Sequence, residues 1–242
     1  MYDQNNNVRT KTITREDAEK AFVGRVFTYL TAALAITGVA SFWFGTTPDL
    51  MEYLINPVTG GRTILGWAVL LAPLGFVLFL GKAIQKLSAQ QMLVALLIYS
   101  AVMGISLSYI FLYYSMGSIA NTFFICSATF GVMAILGYKT RTDLTGFGMV
   151  LRMAVVGLII AMVVNMFLGS SMMDFIISGV GVLIFTGLTA YDMQMIRRNA
   201  AEMLSTGSEM ASKLAMASAL NLYLDFINLF LMLLRFFGGS RD

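Results

Sequence analysis

Leu214–Leu234 reads LAMASALNLYLDFINLFLMLL, a run of 21 residues in which Asp225 is the only charged side chain. A helix rises 1.5 Å per residue, so such a run is long enough to cross the roughly 30 Å hydrocarbon core of a bilayer. Within it Ser218, Asn221, Asp225 and Asn228 recur at spacings of three, four and three, which sets them along one side of a helix. The other sides are Leu, Phe, Ile and Met. A carboxylate at the centre of a span costs roughly 2.5–3.5 kcal/mol on insertion scales. Asp225 lies roughly 15 Å from either end, too deep to reach water by snorkelling. The stripe must therefore face protein or a wet cavity, and its helix belongs near the centre of a bundle.

Six more stretches have the same character: Val26–Gly45, Ile64–Leu80, Met92–Tyr114, Ile119–Leu136, Met153–Leu168 and Phe175–Ile196. They are too long for strands and rarely alternate with period two. Hydrophobic residues make up 58% of the chain and charged residues 12%. A soluble globule carries about 25% charged residues, so most of this exterior must face lipid. The spacers around Ser115–Ser118 and Gly169–Asp174 are so short that the helices they join must run antiparallel. The sequence thus predicts an all-α membrane protein with seven transmembrane helices. Residues 1–25 read as a cytoplasmic polar tail, 26–238 as the seven-helix domain and 239–242 as a short extracytoplasmic tail. The polar N-terminal stretch lacks the apolar core of a secretory signal, so the first span must direct insertion. Beyond Ile196, the Ala, Glu and Met content extends the sixth helix out of the membrane, with Ser205–Ser208 as the turn.

Charge sets the orientation. Thirteen Lys and Arg fall on one set of alternating connections and three on the other. The positive-inside rule then places the N-terminus in the cytoplasm and the C-terminus outside. The formal net charge of +3 follows from those basic cytoplasmic loops and calls for no nucleic-acid partner. Several chemistries are disfavoured. The chain has no histidine and one cysteine, Cys126, which reads as a small buried hydrophobe, so neither a disulfide nor a cysteine metal site is available. No Walker sequence occurs, and Gly179-Val-Gly181 lies inside an apolar helix without the third glycine of a dinucleotide fingerprint. Gly179, Gly181 and Asn165 read as packing features.

The second acid of interest is Asp192, in GLTAYDMQMIRR near the cytoplasmic end of the sixth span. Alone, it reads either as an interfacial carboxylate balanced by Arg197 and Arg198 or as a partner for Asp225. Their depths differ by about two turns, so a meeting requires tilt or a broken helix. Two carboxylates in one low-dielectric site cannot both ionise cheaply; if they meet they should share a proton and titrate as a unit. Such a pair can also bind a divalent cation through oxygen, so protons and calcium would compete for it.

LYLDFINLFLMLLRFFG at Leu222–Gly238 resembles the C-terminal signature of the transmembrane Bax inhibitor motif family, and AYDMQMI at Ala190–Ile196 is similar to its sixth-helix motif. The short ending FGGSRD is similar to bacterial members. The resemblance implies six helices around a central seventh, in a bacterial plasma membrane. It further implies a calcium-permeable leak whose opening depends on pH through a hydrogen-bonded aspartate pair, at the positions of Asp192 and Asp225. Bacterial relatives carry an arginine near the cytoplasmic end of the second helix that pairs with those acids. Lys82 is the approximate match here, a candidate latch that would bind as a point charge rather than a fork.

The leading expectation is therefore a calcium leak with no cofactor, in which Asp192 and Asp225 sense protons and ligate the ion, supported by Ser218, Asn221 and Asn228. A second class is a regulatory protein that binds a membrane protease or another channel through its N-terminal tail and the Arg197–Lys213 loop. A third, an intramembrane aspartyl protease, lacks the glycine-rich motif around either acid, so no enzyme activity is expected.

Overall fold

The computed structural model of the chain describes the backbone of residues 15–83, 86–202 and 208–238, with side chains for all of these except 15, 78–83 and 201–202. Among the described residues there are nine helices: α1 (Arg15–Thr46), α2 (Pro48–Glu52), α3 (Ile64–Ala83), α4 (Ala89–Leu107), α5 (Ile110–Tyr113), α6 (Met116–Lys139), α7 (Thr145–Leu168), α8 (Ser171–Glu202) and α9 (Ser208–Phe237). Extended structure among them is limited to an isolated bridge between Ile55 and Arg62. Among the described residues six helical segments are long and apolar enough to cross a membrane: Glu16–Thr46, Ala89–Tyr113, Met116–Lys139, Thr145–Leu168, Ser171–Ala200 and Ser208–Phe237. The stretch expected as the second span is α3. Its described apolar part, Ile64–Val77, is shorter than those six, and Pro73 interrupts its hydrogen-bond ladder.

Helix boundaries follow local chemistry. The apolar pattern starts the first span at Val26, but α1 begins at Arg15, so residues 15–25 of the polar stretch are helical. Glu16 and Asp17 in its first turn complement the helix dipole, and Glu16 pairs with Lys20 one turn on at 2.7 Å. Ser88 starts α4 with a capping box: its Oγ accepts from Gln91 N at 3.2 Å, and Ser88 N donates to Gln91 Oε1 at 2.9 Å. The sixth apolar stretch does continue past Ile196, as α8, to Glu202. The rest of the expected turn, 205–207, and residues 1–14 of the tail lie outside the described residues.

The α7–α8 connection shows how tightly neighbours are joined. Gly169 ends α7 at φ +62°, a left-handed conformation that costs glycine nothing. Buried Asn165 spans the turn: its Nδ2 donates to Ser170 O at 3.1 Å and Asp174 Oδ1 at 2.8 Å, and its Oδ1 accepts from Ser170 N at 3.1 Å. Asn165→Ala strands these partners. It should cost about 1–3 kcal/mol, read as a lowered melting temperature in detergent.

Packing distinguishes α9 from the rest. Of its membrane stretch 67% is buried, against 17% to 44% for the other five long segments. It packs on α8, α1, α6 and α4. The outer surface is apolar, with Phe124, Met166, Phe167 and Leu183 each at least 70% exposed, a surface suited to acyl chains rather than water. Small residues let the inner helices approach. A Cβ on Gly181 would overlap Met232 of α9, so this glycine is a packing contact. Cys126 is fully buried and donates to Phe226 O at 3.7 Å.

Candidate functional site

The segment Ala190-Tyr191-Asp192 is wedged between two glycines. On one side Gly137 of α6 lies against the Ala190 backbone, where any Cβ would collide with the Ala190 carbonyl. On the other, Gly148 of α7 lies against the Tyr191 ring. The wedge fixes the azimuth of α8 and directs Asp192 into the bundle, where it is 7% exposed. Asp192 Oδ1 accepts from Arg152 Nη2 at 3.4 Å, and the same guanidinium lies over the Tyr191 ring, 4.9 Å from its centroid. The Arg152 side chain is 58% exposed and that of Asp192 10%, so the pair bridges the open side of α7 and the interior. Such a long, half-exposed contact holds the acid weakly.

Asp225 is equally buried, and its Oδ2 has no hydrogen-bond partner among the described residues. Among the described residues, the charged groups that interact with it are Asp192 and Arg152. Two residues before Asp225, the Tyr223 hydroxyl lies 2.7 Å from Thr37 Oγ1, which donates to Ser100 O at 2.9 Å. Thr37 has one proton to give, so Tyr223 must be the donor, and the chain ties α9 to α1 and α4.

The rest of the expected site is distributed differently. Ser218 is buried, Asn228 is half-buried and donates to Leu224 O of its own helix at 2.8 Å, and Asn221 is exposed. The amide of Asn228 thus bonds back along its own helix. Arg197 and Arg198 do not balance Asp192. Arg197 pairs with Glu19 at 3.3 Å and donates to Tyr138 O at 2.7 Å, and Arg198 pairs with Asp143 at 3.0 Å. Both point to the α6–α7 end of the bundle, where Gln194 also bonds Leu144 N and Thr142 O at 2.8 Å. In that loop the Thr145 hydroxyl and amide, helped by Arg198, hold the Asp143 carboxyl below its ordinary range. A depressed carboxylate adds stability that is lost only as pH falls through its lowered value, so Asp143 does not respond near neutrality. Lys82 is in α3, with its side chain outside the described set.

Arg152 is the residue that sequence reasoning places elsewhere, in the loop before a span starting at Met153. The structure begins α7 at Thr145, so Arg152 sits two turns inside the helix. Its signal was present: a lone cation on an apolar helix needs an acid inside the bundle. Among the described residues no group of three or more acidic or cysteine side chains comes together.

Residues 19–242 match the model of the family described as inhibitor of apoptosis-promoting Bax1. The chain belongs to the Bax inhibitor family. Among its relatives is an uncharacterized protein of Rickettsia prowazekii, 39% identical over 240 residues that cover 96% of this chain and 98% of that protein. The inner membrane protein YbhL of Escherichia coli K12 is 37% identical over 222 residues, covering 92% of this chain and 93% of YbhL. A Borreliella burgdorferi protein is 42% identical over 221 residues, covering 91% and 93%. This Bax inhibitor family member is therefore a multi-pass membrane protein, and both motifs that carry the resemblance, Ala190–Ile196 and Leu222–Gly238, lie inside the matched region.

Proposed function

We propose that this chain is a passive, calcium-permeable leak of a bacterial plasma membrane, set by protonation of Asp192 and Asp225. In this reading α3 is the second of seven spans, α9 is the central helix, the N-terminus is cytoplasmic and the C-terminus extracytoplasmic. The observation that carries it is Asp225: a carboxylate in the middle of the most buried helix, with an unpartnered oxygen, beside a second buried acid and one half-exposed cation. Helices held together by amides and hydroxyls do not require that arrangement, which costs several kcal/mol when ionised in a dry interior. Titration of the pair changes the local charge from one net negative with Arg152 to neutral or positive, and calcium competes for the same oxygens. Two carboxylates cannot fill a calcium coordination shell of six to eight oxygens, so the ion keeps water and passes rather than lodges.

The test is calcium entry into proteoliposomes that contain an indicator dye and the purified chain. Entry should require the protein and vary with pH across the neutral range. A rate equal to that of empty vesicles contradicts the proposal. Arg152 gives a graded version. In Arg152→Gln the cation that favours the ionised acids is gone, so the midpoint of the flux-versus-pH curve should move to higher pH. An unmoved midpoint removes Arg152 from the mechanism.

A further inference from the structure

Towards the end of the bundle where α1 finishes and α6 begins, a cavity of about 500 Å³ opens sideways between those two helices. Phe226, Ile227 and Phe230 of α9 form its back wall. Phe111 of α5 closes it above by meeting Phe42 edge-on, centroids 6.1 Å apart. At the mouth Phe42 is 52% and Phe124 70% exposed, continuous with the apolar exterior. Among the described residues no charged side chain lines it, and its polar lining residues are Thr37 and Ser41. The Thr37 hydroxyl is engaged by Tyr223 and Ser100. Ser41 is 4% exposed, and its buried Oγ has no hydrogen-bond partner among the described residues.

We propose that this cavity is a binding site for one acyl chain of a bilayer phospholipid, whose ester carbonyl accepts a hydrogen bond from Ser41. The volume falls within the range of small-molecule sites, about 300–1,000 Å³. Water is a poor occupant, since a buried water needs two to four polar partners and one free hydroxyl is on offer. A free fatty acid brings a carboxylate, and no cation among the described residues lines the cavity to receive it. A neutral chain whose headgroup stays at the surface meets neither cost. Depth agrees: Ser41 lies five residues before the end of α1 at Thr46, about 7–8 Å along the axis, below the headgroups rather than at mid-bilayer. The bound chain packs on α9 one residue beyond Asp225, but its binding is independent of the proposed ion path.

Gly38 provides the decisive variant. It lines the cavity, and a Cβ built there meets no atom within 4 Å, so Gly38→Phe fills the space without displacing backbone. The full-length protein is reconstituted with phosphatidylethanolamine that carries a photoreactive diazirine in its acyl chain, and adducts are mapped by mass spectrometry. Adducts should concentrate on Phe42, Phe123, Phe226 and Phe230. In Gly38→Phe they should fall to the level seen at lipid-facing Ile160 of α7. If that variant does not fold, Ala120→Phe on the α6 wall replaces it with the same expectation, and Ser41→Ala, which keeps the cavity's shape, should weaken labelling. Labelling spread evenly over α6 and α7 and unchanged by these variants overturns the proposal. So does labelling competed away by free fatty acid and not by unlabelled phospholipid. Rapid reaction of Ser41→Cys with a membrane-impermeant thiol reagent, which marks a wet cavity, also overturns it.

Discussion

Asp225→Asn should abolish the pH response of calcium flux and make the protein more stable at neutral pH. The amide keeps the shape of the carboxyl but cannot titrate, so flux settles at one level across the range. Stability rises because Asp225 is 7% exposed with an unpartnered oxygen and faces a second acid. Asparagine removes the like-charge pair and offers Asp192 two N–H donors, a gain of about 1–3 kcal/mol. Thermal unfolding in detergent checks this second result. A fall in melting temperature would mean that the carboxylate has a structural partner at neutral pH. Gain of stability with loss of response is the signature of a group kept for function.

Gly137→Leu should do the opposite and prevent stable folding. The Cβ alone would overlap the Ala190 carbonyl, Cα and carbonyl carbon, all backbone atoms of α8. A side-chain clash can be relieved by a rotamer change, whereas here α6 and α8 must separate, and α8 also packs on α7 and α9. The expected loss exceeds about 3 kcal/mol, beyond ordinary core overpacking. It should appear as loss of the monodisperse peak in size-exclusion chromatography. Gly24→Leu is the control, because a Cβ there meets nothing within 4 Å. Equal yields of the two variants would contradict the close α6–α8 contact. Because Ala190 precedes Asp192 by two residues, any Gly137 variant that does fold should also shift the pH profile.

Much of this architecture is legible in the sequence, because a bilayer imposes its own length scale. Leu214–Leu234 could be little other than a span, and a charge at its centre had to face inward, as buried Asp225 does. What spacing cannot supply is the neighbour. Ser218 and Asn221 share one side of α9 by periodicity, yet one is buried and the other exposed, because burial depends on which helix covers each azimuth. The cation beside Asp192 was misplaced for a related reason. The apolar pattern starts the fifth span at Met153, whereas hydrogen bonding carries α7 back to Thr145 and Arg152 with it. The contact of Gly137 with Ala190 joins residues 53 positions apart, and nothing local in either helix announces it.

In the proposed mechanism Asp192 and Asp225 act as one titrating unit that governs calcium flux. A double-mutant cycle measures it: calcium entry into proteoliposomes across the neutral pH range for the wild type, Asp192→Asn, Asp225→Asn and the double variant. Each single variant should lose the pH response and the double variant should add nothing further, because removing either member destroys the unit. Single variants that keep the wild-type profile, or effects that simply add in the double variant, would contradict it.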